Sequence, residues 1–221
     1  MTQTQPKSFY NSSTRDAAPS SYRGLWAYTF AMIPRYQTPE MAEIFSDEAK
    51  LARWTKVELE VLRVLSRRGV VPAEAYEEVS KALEGLDYGE LTRCQAERER
   101  EVQHDVIAFV ECLERRAGEW GRFIHYGLTS YDVVDTAWAL ALKEAIQVIL
   151  GELKGYAAAL KEKALKYKRV PVMGRTHGVF AEPTSLGLKF LGFYTEAKRN
   201  EERLLWALET ISYGKISGTV G

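Results

Sequence analysis

Apolar side chains recur every three or four residues through most of the chain after residue 33, which is the spacing of amphipathic helices. A helix start is formed by Thr38, Pro39 and Glu40, which supply an N-cap hydroxyl, a proline in the first turn and an early carboxylate. The helical spacing continues to Leu65, and Gly69 ends it. Further helices are predicted over 72–83, 87–95, 97–116 and 183–213.

The longest periodic run covers 130–168. A helix of that length measures roughly 58 Å at 1.5 Å per residue, whereas a compact domain of this chain length is only about 40 Å across. Gly151 and Gly155 could kink the helix, but a bundle built with other chains explains its length better. Only 170–173 is strand-like, and it is too short to anchor a sheet. The fold class predicted is therefore all-α, with a long-helix bundle.

Residues 1–32 differ from the rest, since they are polar and lack sustained periodicity. They are interpreted as a disordered lead or an upstream extension with Met32 as the functional first residue, and a transit peptide is an alternative. We expect an N-terminal helical domain over 33–129 and the first part of a central bundle domain, incomplete, over 130–221.

Composition narrows the classes of partner. The 221 residues carry 30 basic and 30 acidic side chains, so no overall basic field favours nucleic acid or an anionic membrane. No apolar run approaches the roughly 20 residues of a membrane-spanning helix. Two cysteines, Cys94 and Cys112, lack metal-ligand spacing and are predicted to be free thiols of a reducing compartment. This favours a cytoplasmic protein.

Three histidines stand where the predicted helices begin or are interrupted. His177 lies in a loop between two glycines, Gly174 and Gly178, beside Arg175 and Thr176. Such a loop either connects helices, with the histidine as a cap, or binds an anion and carries a general acid or base.

His125 begins a second segment that leads into the long helix. Ser130 is a candidate N-cap of that helix, and Thr129 and Ser130 together could bind an anion at its N-terminus. His104 is placed inside a charged helix, where it and Asp105 would face about 100° apart and not pair. A surface histidine is the simpler interpretation of His104 taken alone.

Two segments resemble signature segments of the adenylosuccinate lyases, members of the fumarase/aspartase superfamily: HYGLTSYDVVDT at 125–136 and MGRTHGVFAEPT at 173–184. Supporting matches are MIPRY at 32–36, HDVIAF at 104–109, GLK at 187–189 and GKISG at 214–218. The resemblance extends from residue 32 to residue 221. It implies the all-α superfamily fold and a homotetramer whose sites collect residues from three subunits.

The resemblance also implies a reaction, the β-elimination of fumarate from adenylosuccinate to leave AMP and from SAICAR to leave AICAR, without metal or organic cofactor. By matching motif positions, His177 is the general acid and His104 orients or assists it. The implied substrate contacts are Thr129, Ser130 and Thr176 to the succinyl carboxylates, Lys189 near them, Arg35 and Tyr36 to the phosphate, and Gln103 and Asp105 in the nucleotide pocket. His125 is interpreted as structural.

The sequence departs from the family pattern in two places and in length. Gln103 stands where a basic residue is common, and Phe180 where some members carry a second histidine. Family members are about twice as long, and the serine base that the resemblance implies lies after the match to Gly221. We therefore expect a fragment or shortened product with little activity alone. The alternative from another class is a non-catalytic helical assembly or nucleotide-binding module, and a relative acting on another fumarate-releasing substrate is a third possibility.

Overall fold

A computed structural model describes residues 33–221. The predictions for residues 1–32, including the role of Met32, lie outside these residues. Residues 33–37 belong to a separate unit from residues 38–221. In the first unit, Pro34–Tyr36 form one turn of 3-10 helix.

The second unit contains seven α-helices and one β-hairpin among its described residues. In chain order these are α1 (Pro39–Ile44), α2 (Asp47–Arg67), α3 (Ala75–Ala82), α4 (Tyr88–Val102), α5 (Asp105–Ala117), α6 (Ser130–Lys166), β1 (Pro171–Thr176), β2 (Val179–Ser185) and α7 (Leu186–Ile211). A 3-10 helix, Gly118–Phe123, follows α5. The all-α class is confirmed, and α6 matches the predicted long helix within two residues.

The helix predicted from Thr38 to Leu65 is two helices. Thr38 does cap α1, since its side chain accepts a hydrogen bond from the Met41 N–H at 3.4 Å. The chain then breaks at Ser46, whose hydroxyl accepts from the Ala49 N–H at 3.1 Å and starts α2. A Ser–Asp–Glu sequence favours a new helix start strongly enough to interrupt a continuing apolar period.

The predicted helix over 97–116 is also wrong. Residues 88–102 form one helix, and Gln103 ends it in the left-handed conformation with φ of 54°. His104 then has extended backbone and begins α5. This junction contains neither glycine nor proline, so the residue types there do not predict the break.

A β-hairpin replaces the predicted loop and the first turn of the predicted helix over 183–213. β1 and β2 pair antiparallel, with Met173 opposite Pro183 and Thr176 opposite Val179. The two residues between them, His177 and Gly178, have φ of 53° and 77°. Positive φ at both positions is the pattern of a type I′ hairpin turn.

The main core lies among α2, α3, α4, α5 and the first turns of α6. Phe109 is at its centre, fully buried, with its ring 5.3 Å from the Trp54 ring in an edge-on arrangement. The second half of α6 packs against α7 through a much smaller buried cluster of Ala157, Leu160 and Ala197. Many large apolar side chains on these two helices therefore stay exposed.

The prediction of free thiols is wrong, because Cys94 on α4 and Cys112 on α5 form a disulfide. Helix packing brings together two cysteines that are 18 positions apart. The cysteines therefore no longer support the prediction of a reducing compartment. Among the described helices, none combines the length and the apolar character needed to cross a bilayer.

Candidate active site

A cleft of about 480 Å³ lies where the N-terminal ends of α5 and α6 meet. Its wall is built from three segments that are distant in sequence: 104–106, 129–134 and 215–219. Four of the predicted site residues line it, namely His104, Asp105, Thr129 and Ser130. The N-terminal ends of two helices border one space, and their dipoles favour a negatively charged ligand there.

His104 stands at the first turn of α5 as its N-cap. The Ile107 N–H donates to His104 Nδ1 at 3.3 Å, so Nδ1 carries no proton in the neutral ring and the proton sits on Nε2. His104 Nδ1 also lies 3.5 Å from Asp105 Oδ1, and that contact becomes an ion pair only when the ring is protonated. The prediction that the two side chains cannot meet is wrong, since His104 has extended backbone and is not inside a helix.

Thr129, rather than Ser130, is the N-cap of α6. A capping box joins it to Asp132, whose carboxylate accepts from the Thr129 N–H at 2.9 Å while the Thr129 side chain accepts from the Asp132 N–H. Ser130 is the first residue of the helix and is half-buried beside the cleft. The cap therefore fixes the backbone position of Thr129 and of the adjacent Ser130 at the start of α6.

Asp132 holds a polar network that sequence reasoning missed. Its carboxylate is fully buried, and Oδ1 accepts from Lys215 Nζ at 2.8 Å, from the Ser217 N–H at 3.0 Å and from the Gly218 N–H at 3.1 Å. Burial alone raises the pKa of this carboxyl, but Lys215 and the backbone donors outweigh burial and hold the pKa well below its usual range. The segment 215–218 is thereby tied to the first turn of α6. Its GKISG sequence was noted in the resemblance, but no role was assigned to it.

His125 lines a second, smaller pocket together with Val106 and Ile107 of α5, and it is paired with a buried carboxylate. Glu58 of α2 accepts from the His125 N–H at 2.9 Å and contacts His125 Nδ1 at 2.6 Å. This hydrogen bond raises the pKa of His125 above its ordinary value, although burial opposes the rise. The pair anchors the start of the 125–129 loop, which leads directly to Thr129.

The remaining predicted residues of this unit lie at the other end of the long helix. His177, Thr176 and Lys189 belong to the hairpin and to the start of α7, and all three are exposed. These elements follow the C-terminal end of α6, a helix of 37 residues that is about 55 Å long. A single chain therefore does not bring His177 to His104.

Arg35 and Tyr36 stand on the 3-10 turn of the separate first unit, and both are exposed. Gln103 is exposed next to His104. The roles assigned to these residues stay predictions. Within residues 33–221, no three His, Cys, Asp or Glu side chains are grouped as metal ligands.

Backbone strain coincides with the predicted segments. In the described part of the chain, the non-glycine residues with positive φ are Gln103, His125 and His177. Such residues cost of order 1–3 kcal/mol each and cluster at functional sites. Each of the three lies in one of the segments that carry the resemblance or directly beside it.

Comparisons with known proteins give the same family. The family model described as Lyase matches residues 35–221. The adenylosuccinate lyase of Thermotoga maritima is 48% identical over 190 residues, covering 86% of this chain and 43% of that protein. The Bacillus subtilis adenylosuccinate lyase is 42% identical with the same coverage. The chain thus spans less than half the length of these curated relatives.

Solved structures show the same architecture. A fumarate lyase from Mesorhizobium sp. BNC1 superposes with a TM-score of 0.77 at 26% identity, over 82% of this chain and 42% of that one. A 3-carboxy-cis,cis-muconate lactonizing enzyme from Pseudomonas putida gives 0.76 at 30% identity, over 84% and 43%. From the match over most of its length and from these relatives, the chain belongs to the lyase family of the fumarase/aspartase superfamily, with adenylosuccinate lyases among its relatives.

Proposed function

We propose that the whole protein is an adenylosuccinate lyase, which cleaves adenylosuccinate to AMP and fumarate and SAICAR to AICAR and fumarate. The observation that carries this proposal is the cleft in which His104, Asp105, Thr129 and Ser130 meet at two helix N-termini. The names of the relatives at 42–48% identity support the choice of substrate.

The reaction is a β-elimination. A C–H bond next to a carboxylate loses its proton, the C–N bond to the purine or imidazole amine breaks, and a C=C bond forms in fumarate. Negative charge develops on the carboxylate during this step, so fixed N–H and O–H donors stabilise it. The departing nitrogen takes up a proton from a general acid. No metal or organic cofactor is part of the proposal.

Within the cleft, Thr129 and Ser130 would hold the succinyl carboxylates with their hydroxyls and with the free N–H groups of α6. Asp105 and the adjacent Gln103 would contact the nucleotide. His104 would orient or assist the acid, and its neutral form presents an N–H at Nε2. The proposal assigns none of these residues as the base that removes the C–H proton.

His177 would be the general acid, with Thr176 and Lys189 near the carboxylates. The length of α6 separates these residues from His104 within one chain, so a complete site needs a second copy to supply the hairpin. This reason and the exposed apolar side chains on α6 and α7 support an oligomer. We propose the homotetramer that the family resemblance implies. Arg35 and Tyr36 would bind the phosphate, which suits a guanidinium and a phenol.

The test is turnover by the whole protein, followed by chromatography of AMP and fumarate. His177→Ala should lower kcat by at least about 100-fold if the histidine is the acid. Turnover by the variant near that of the wild type would refute the assignment.

A second titration, with AMP alone, separates the lyase from the non-catalytic module. Arg35→Ala should weaken AMP binding, whereas Arg67→Ala, which removes an exposed arginine at the end of α2, should not. AMP binding without fumarate release from adenylosuccinate would favour the nucleotide-binding module over the enzyme.

A further inference from the structure

The geometry points to Lys215 and Thr219 as substrate contacts in the cleft, positioned there by Asp132. This inference rests on the proposed function. It extends that function to the segment 215–219, to which the family resemblance assigned no role. The ligand group in question is a carboxylate of the succinyl moiety.

Asp132 acts as the anchor of this wall of the cleft. One of its oxygens accepts from the Thr129 N–H, and the other accepts from Lys215 Nζ and from two N–H groups of the 215–219 segment. The carboxylate is fully buried, so each of these donors helps to offset the cost of its buried charge. Asp132 therefore couples the position of the Thr129 cap to the position of Lys215.

The backbone of Lys215 is fixed as well. Its N–H donates to Thr136 Oγ1 at 3.0 Å, and its carbonyl accepts from the same hydroxyl at 3.0 Å. Thr136 lies one helical turn after Asp132 on α6, so both side chains hold the segment from one helix face. Lys215 is thus placed by four contacts to α6 and its own loop.

The ammonium of Lys215 keeps capacity for a ligand. It has three donors, of which one goes to Asp132 and one to the Gly218 carbonyl at 3.1 Å. Its side chain is 33% exposed and lines the cleft, as does Thr219. One ammonium N–H and one hydroxyl are therefore available on this wall, facing the space shared with Thr129 and Ser130.

The charge balance favours a carboxylate over a phosphate. Asp132 offsets the charge of Lys215, and Asp105 adds a carboxylate to the cleft. With the positive charge of Lys215 and the negative charges of Asp132 and Asp105, this wall carries one net negative charge, so it repels a dianionic phosphate more strongly than a singly charged carboxylate.

The experiment measures fumarate and AMP binding separately by isothermal titration calorimetry on the whole protein. Lys215→Met should weaken fumarate binding by about 10- to 100-fold, the loss expected for a charge-assisted hydrogen bond. AMP binding should change less than about 2-fold in the same variant if the contact is to the carboxylate. Lys50→Met is the matched control, because Lys50 pairs with Asp47 at 2.9 Å on the surface of α2, away from the cleft; it should change neither affinity.

Two more variants keep the inference testable if Lys215→Met disturbs the segment. Thr219→Val removes only a hydroxyl at an exposed position and should raise KM for adenylosuccinate with little change in kcat. Asp132→Asn should also weaken fumarate binding, and adding Lys215→Met to it should cost less than the sum of the two single effects, because the residues act as a unit.

The outcomes separate this inference from the proposed function. The inference would be overturned if Lys215→Met and Thr219→Val left fumarate affinity and KM unchanged. The proposed function would still stand in that case if the wild-type protein turns over adenylosuccinate. Loss of AMP binding with fumarate binding kept would also overturn it, since the wall would then serve the phosphate. Fumarate binding that depends on Lys215, without turnover of adenylosuccinate, would uphold the contact and refute the lyase. A wild-type protein that neither binds fumarate nor turns over adenylosuccinate would refute both.

Discussion

Glu58 and His125 form a charged pair whose contribution to the free energy of unfolding depends on pH. The Glu58 carboxylate is 3% exposed and has two bonds to His125, one to the ring and one to the backbone N–H. Removing one partner of a buried pair leaves the other charge uncompensated. The pair therefore stabilises the junction between α2 and the loop that leads to Thr129.

Glu58→Gln should lower the free energy of unfolding by about 1–3 kcal/mol near pH 6. The pKa of His125 is raised in the folded state, so this stabilisation is fully present below about pH 6.5, the unfolded value. It is lost as the pH rises through the folded pKa, and the gap between wild type and variant should shrink at alkaline pH. Urea unfolding at pH 6 and pH 8.5 measures both values.

Glu60→Gln is the control, because Glu60 pairs with Arg63 on the exposed side of the same helix. Its effect should stay within about 0.5 kcal/mol at either pH. A constant gap between wild type and Glu58→Gln across the pH range would contradict a titrating pair.

At this scale the sequence predicted candidate site residues, but it did not predict which distant residues pair with them. Motif resemblance selected His104, Thr129 and Ser130, and the structure places all three around one cleft. It missed Asp132 and Lys215 as a pair, because they are 83 positions apart and only the fold brings them together. The disulfide between Cys94 and Cys112 was missed for the same reason.

Secondary-structure elements were predictable where a buried face imposes one period. α6 follows a helical repeat over its whole length, so its bounds were predicted closely. β1 and β2 have no such signal, since most of their side chains are exposed on both faces. Pro183 was interpreted as a helix start but lies within β2 opposite Met173. A strand with both faces exposed has no alternation of apolar and polar residues by which it could be predicted.

The start of α7 depends on a glycine that lies against the end of α6. A Cβ added at Gly187 would lie 2.5 Å from both the Ala164 carbonyl oxygen and the Lys168 Cα. These are backbone atoms, so the two helices would have to move apart. Gly187→Ala should lower the free energy of unfolding by about 1–3 kcal/mol or more.

Gly192 provides the comparison on the same helix. Nothing lies within 4 Å of a Cβ added there, so Gly192→Ala should raise stability by about 0.5–1 kcal/mol through helix propensity. Thermal unfolding of the two variants beside the wild type measures the difference. Equal effects in the two variants would show that Gly187 is not constrained by α6.

At the scale of the whole molecule, α6 carries an apolar stripe that residues 33–221 do not fully cover. Leu142, Ile149 and Tyr156 are spaced by seven residues and are 37%, 43% and 54% exposed. Heptad spacing keeps them on one side of the helix. Another copy of the chain is the proposed cover.

Replacing both Ile149 and Tyr156 by Glu should reduce the native mass measured by light scattering, since each buried charge opposes association. Gln147→Glu adds a charge at an exposed position about 200° from Ile149 around the same helix, and should leave the mass unchanged. An unchanged mass in the double variant would place the interface elsewhere.

Under the proposed function, the length of α6 would make catalysis depend on the assembly. If His104 and His177 of one chain stand at opposite ends of a helix about 55 Å long, each working site must take them from different copies. His104→Ala and His177→Ala proteins should each be nearly inactive. After dissociation and reassembly as an equal mixture, about one quarter of the sites should contain both histidines, because each is supplied with a probability of one half. Sites built within a single chain would regain nothing on mixing, so the recovered fraction of turnover decides between the two arrangements.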